Sequence, residues 1–179
     1  DLADLIANLG LPSQVKMKVY HASTPTADED SYFDTTVLGD LSGDPTPLDG
    51  TYDGWCVDTD NGIASGTEYT ADVYTSYEAL PSGTVAFPEN FDLVNWILNQ
   101  GLVGQSSPGG FGIYTYGDVQ KAIWELIEGD FNEEAGLGDF SRDRVDEIKA
   151  AAQASGEGFV PQCGQTVAII LVPTSGTNQ

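Results

Sequence analysis

The stretch GDVQKAIWELIEG, residues 117–129, decides how the chain is read. Val119, Ala122, Ile123, Leu126 and Ile127 recur at three- and four-residue spacing, which makes one face of a helix apolar. Asp118 stands where a capping carboxylate would accept the unpaired N–H groups of the first turn. Gln120 falls in that turn and shares a flank with Ile123 and Trp124, beside the stripe and not opposite it. A carboxamide there is expected to be partly buried, with its carbonyl polarised by the helix N-terminus. Such a carbonyl is disposed towards nucleophilic attack.

Outward from this helix the chain alternates irregularly between periods. SRDRVDEIKAAAQASG (141–156) is a second helix, with Ser141 as cap and Gly156 as stop. PENFDLVNWILNQG (88–101) is another, opened by Pro88 and Glu89 and striped by Val94, Ile97 and Leu98. Leu2, Leu5, Ile6 and Leu9 predict a short amphipathic helix over 1–9, closed by Gly10. QVKMKVYH (14–21) alternates as a half-buried strand, and GWCVD (54–58) and TEYTADVYTSY (67–77) read as strands too. Residues 22–50, rich in Asp, Pro, Thr and Gly, read as an elaborated loop region. The apolar run TVAIILVP (166–173) predicts a central strand buried on both faces. No regular βαβ rhythm joins these pieces. They predict one α+β domain over residues 1–179, with a β-sheet or β-barrel-like core and a few packed helices.

Charge excludes several functions. Against 28 Asp+Glu stand 6 Lys+Arg, a net of −22, and such a surface repels phosphate backbones and anionic membranes. Nucleic-acid binding and membrane insertion are therefore not expected, and no stretch approaches the ~18–20 apolar residues of a membrane span. The acidity suits divalent cations, and is equally a solubility device. With abundant Thr, Ser, Gly and Tyr and little lysine, it leans towards an extracellular or cell-surface setting.

The segment YDGWCVDTDNG (52–62) sets Cys56 between a tryptophan and a run of carboxylates, and the other cysteine is Cys163. Cys56 could be half of a disulfide, a buried thiol, a metal ligand or a reactive centre. A bond to Cys163 would close a loop of roughly 108 residues, worth ~4–5 kcal/mol if the unfolded chain's lost entropy is the whole effect. A thiolate delivered by the strand carrying Cys56 would equally be the natural attacker of the Gln120 carbonyl.

The succession WCVDTD…GTEYTADVY, then VNWILNQ, then VQKAIWEL resembles the thioester domains of bacterial surface adhesins, over about residues 52–128. In that family a cysteine on an early strand and a glutamine in a Q-x-A-I-W helix form an internal thioester. The positions that match are Cys56 and Gln120, while Trp55 and Val119 stand where the family often has Tyr and Thr. The resemblance implies a thioester-domain-like fold and a cell-adhesion module. Its thioester would react with an amine, such as lysine, on a surface protein or another nucleophilic surface ligand. Trp55, Tyr114, Tyr116 and Trp124 would shield the bond from water. Capture would be covalent and without turnover, so an enzyme is not expected, and no cofactor is needed.

The alternative is a non-reactive subunit of a surface layer, fibre or matrix, with Cys56 bonded to Cys163 and self-assembly through strand addition at 166–173. DTDNG (58–62) resembles the start of a calcium loop through Asp58 and Asp60, yet Tyr69 stands where the bidentate Glu would be. It reads better as an acidic turn, with weak Ca²⁺ binding as the functional option. His21 reads as a surface residue at a strand end, and nothing around it supports a cysteine hydrolase built with Cys56. PGGFG (108–112) reads as a flexible turn, and zinc spacing, a nucleotide fingerprint and a serine-hydrolase elbow are not found.

Overall fold

The fold is that of a computed structural model, which describes residues 9–21, 31–59, 62–129 and 136–175. Strand β1, Gln14–His21, follows its alternation: Val15, Met17 and Val19 are buried, and Lys16 and Lys18 between them are only partly covered. It pairs antiparallel with β2 (Tyr32–Val37) on one side and β4 (Glu68–Thr75) on the other. Strand β3 (Gly50–Trp55) adds to β2, and β5 (Ile169–Ser175) adds to β4. The order β3-β2-β1-β4-β5 makes an antiparallel half-barrel whose two end strands are β3 and β5.

Among the described residues three helices complete an α+β architecture: α1 (Phe91–Leu98), α2 (Tyr116–Ile127) and α3 (Arg142–Ser155). Their apolar faces meet in one core of Phe91, Ile97, Ile123, Ile127, Val145 and Ile148, joined by Ile170 of β5. Each such side chain stabilises the fold by ~1.5–3 kcal/mol through burial. The periodicity of α2 predicted this face correctly, since Val119, Ala122, Ile123, Leu126 and Ile127 are all buried.

Several boundaries differ from expectation. Strand β2 lies inside the segment read as loop; only its end residues Tyr32 and Val37 are buried, so its sequence lacks a clean alternation. Cys56 follows β3 rather than lying within it. The apolar run expected as a central strand is an edge strand, paired with β4 alone. Its composition misleads because both faces are nonetheless covered: Ile170 packs into the helical core, and Leu171 packs against Met17, Tyr69 and Ala71 on the other side. Helix α1 is shorter than 88–101: Pro88–Asn90 is a 3₁₀ turn, and the side chains of Asn99 and Gln100 donate to the carbonyls of Asn95 and Trp96. The segment expected as an N-terminal helix lies, but for Leu9, outside the described residues.

Candidate functional site

The site begins with the start of α2. Thr115, not Asp118, is the cap: its hydroxyl accepts the Asp118 N–H, and Asp118 accepts the Thr115 N–H at 2.8 Å in a reciprocal capping box. Asp118 is fully buried and also accepts the Ser141 N–H at 2.7 Å and Arg144 Nε at 2.6 Å, which fixes α2 against the start of α3. Gly117 is required here, since a Cβ would meet the Leu137 carbonyl oxygen at 2.3 Å. One turn on, buried Lys121 and Glu125 lie 3.4 Å apart, and Glu125 accepts Arg142 at 2.6 Å and Lys149 at 2.6 Å. Burial opposes ionisation of Glu125, but the bonds from Arg142 and Lys149 outweigh it and lower its pKa.

This frame holds Gln120 in the second turn of α2, one turn later than expected, and wholly buried where partial burial was expected. Its side chain grips the peptide of Cys56 at both ends. Gln120 Oε1 accepts the Cys56 N–H at 2.9 Å, and Gln120 Nε2 donates to the Cys56 carbonyl at 2.8 Å. The Cys56 N–H is shared, since the Ser31 carbonyl also accepts it at 2.9 Å. Two residues separated by 64 positions are thus tied by a paired contact.

The Cys56 sulfur is a free thiol that donates to the Asp58 carbonyl at 2.9 Å. Burial pushes its pKa up from 9.0 to about 11, and the Asp58 charge adds to the rise; bonds from the Asp58 backbone and the Trp124 side chain act against it. The thiol is therefore protonated at neutral pH, and its nucleophilic form is a minor species.

Of the expected shielding residues, Trp55 and Tyr116 stand together, with ring centroids 5.8 Å apart, and Trp124 is buried with its side chain at the sulfur. Sequence reading missed Tyr32, which stacks on Tyr116 at 5.3 Å and lies 6.2 Å from Trp55. It also missed Ser31. Both were hidden by the loop reading of 22–50; the aromatic-and-threonine run YFDTTV was the available signal. Tyr114 is buried, but its hydroxyl donates to Glu147 at 2.6 Å, where Glu147 also pins the turn at 108–112 through the Gly109 N–H at 2.6 Å. Val119 is buried beside Gln120.

The remaining candidates are dispersed. Cys163 is an exposed free thiol, so the disulfide to Cys56 does not exist in this structure. Asp58 is half-buried, Asp60 lies outside the described residues, and the side chain of His21 is not described. Among the described residues, no group of three or more His, Cys, Asp or Glu side chains could hold a metal ion, and no helix is long and apolar enough to cross a membrane.

Cys56 opens onto a cavity of about 920 Å³. Met17, Val19 and Tyr69 line it from the sheet, Ile97 and Ile123 from α1 and α2. Residues 52–58 and 166–173 border it from the two ends of the half-barrel. Among the described residues no lysine or arginine borders it, whereas Asp53 and Asp58 do. Compared with known proteins, the chain matches no family model, no curated protein and no solved structure.

Proposed function

We propose that the chain is a surface adhesion module that closes an internal thioester between Cys56 and Gln120 and then captures an amine. The observation that carries this is the two-point grip of the buried Gln120 carboxamide on the Cys56 peptide. In the first step the Cys56 thiolate attacks Gln120 Cδ, and the developing oxyanion rests on the Cys56 N–H that already donates to Oε1. Collapse expels Nε2 as ammonia, which carries away the proton the thiol gave up. A primary amine then adds to the same carbon and expels the Cys56 thiol, leaving a secondary amide. The thiol would have to turn from the Asp58 carbonyl to the carboxamide held on its own peptide, and that placement would supply the activation an ordinary amide lacks; the Tyr32, Trp55 and Tyr116 rings lie beside the β3 end of the site. The acidic surface would draw protonated lysine side chains from a target on another surface. The protein would then act outside the cell or at its surface.

A second reading is favoured by the same grip and by the raised thiol pKa: the Gln120 side chain is a structural latch between β3 and α2, and the chain is a non-reactive subunit of a surface assembly. Intact mass under non-reducing conditions separates the two. Capture requires a species lighter than the sequence by one ammonia, which disappears in Cys56→Ala. A mass equal to the sequence after prolonged incubation at alkaline pH sinks the thioester and leaves the latch.

A further inference from the structure

We propose that the gap between β3 and β5 is a docking slot for an extended, lysine-bearing basic segment of a partner protein, laid along the free edge of β3. The proposal rests on the thioester reading and names the form in which the amine arrives. Consecutive residues of both end strands border the cavity, and side chains of both parities can do so only if the strand edges face it. The free edge of β3 can be assigned. The Cys56 N–H donates across to the Ser31 carbonyl, so this pair is hydrogen-bonded, and the alternation makes Asp53 and Trp55 non-bonded positions. The close hydroxyl pair Thr36 and Thr51, at 2.9 Å, fits that register. The N–H and C=O groups of Asp53 and Trp55 therefore point outward, along the line that leads to Cys56.

An added strand there would satisfy those groups and pass Cys56, which borders the cavity. Charge selects the occupant. The slot carries Asp53 and Asp58, and no lysine or arginine is among its described border residues, in a chain of net charge −22. A second copy of this chain is repelled by its like charge; of its four lysines Lys121 and Lys149 are held by Glu125, Lys18 lies 3.8 Å from Glu68, and Lys16 is partly covered on β1. A basic strand from another protein is attracted and supplies the amine.

The test uses the full chain as Cys56→Ala, which cannot react, and a fluorescent peptide of sequence Thr-Val-Lys-Val-Thr-Val-Lys-Thr. Anisotropy should show saturable binding that weakens at high salt. Methylating alternate peptide nitrogens on the edge-pairing side removes at least two backbone hydrogen bonds and should weaken it at least about tenfold. Replacing both peptide lysines by glutamate should abolish it, and amide exchange at Asp53 and Trp55 should slow on binding. Equal binding of the methylated peptide, or no binding at millimolar concentration, overturns the slot. Methylamine uptake by the unmutated chain is scored separately. Uptake without peptide binding removes the slot alone, and peptide binding without uptake removes the thioester alone.

Discussion

At the scale of single residues, two quantities oppose one another at Cys56. The Gln120 carboxamide is held on the Cys56 peptide, but burial holds in its protonated form the thiol that the proposed thioester requires as attacker. With the pKa raised to about 11, the thiolate fraction at pH 7 is on the order of 10⁻⁴ and rises tenfold per pH unit until it saturates near that value. Ammonia loss followed by mass against time should therefore accelerate about tenfold per pH unit between pH 7 and pH 10. A flat profile would mean that another base removes the proton. Gln120→Glu keeps the shape but replaces the donor to the Cys56 carbonyl with an acceptor, inside a site where Gln120 is wholly buried. Urea unfolding should show a loss of at least ~1–3 kcal/mol, the cost of a buried group left unpaired, and more at a pH where the new carboxylate is ionised. Unchanged stability would show that the grip contributes nothing to the fold.

At the scale of elements, α2 was legible in its apolar face and misread at its start. The sequence Thr115-x-x-Asp118 is a capping-box pattern, and reading Asp118 alone as the cap moved Gln120 one turn too early. Strand β1 announced itself by alternation, while β2 did not, because its middle residues are half-covered on both faces. The long-range part of the site was out of reach for the same reason: Tyr32 opens β2 and Ser31 directly precedes it, and only sheet register brings them to the Cys56 end of β3. The terminal strand shows that an apolar run reports covered faces and says nothing of hydrogen-bonded edges. The frame around α2 makes its own forecast. Thr115→Ala should cost ~1 kcal/mol as a lost cap. Asp118→Ala should cost more, ~3–5 kcal/mol, since it takes the nearest carboxylate from Arg144, leaving it Asp139 at 3.6 Å, and also unpairs the Thr115 and Ser141 N–H groups. Thermal denaturation of the two variants should rank them in that order; equal losses would contradict the assignment of Asp118 as the tie between α2 and α3.

At the scale of the whole molecule, the net charge of −22 sets the behaviour in solution. Self-repulsion works against the compact state and is screened by salt, since the Debye length falls from about 30 Å at 0.01 M to about 3 Å at 1 M. The melting temperature should therefore rise with NaCl over that range, and a fall would show that the surface ion pairs outweigh the repulsion. The same acidity would suit the proposed amine target, and no lysine or arginine is among the described residues around the cavity. The most direct measurement is peptide mapping by tandem mass spectrometry after exposure of the native chain to methylamine. The account predicts N-methylation of the Gln120 carboxamide, with a free Cys56 thiol released in equal amount and no labelling in Cys56→Ala. An unmodified Gln120, or labelling that persists without the sulfur, would contradict it.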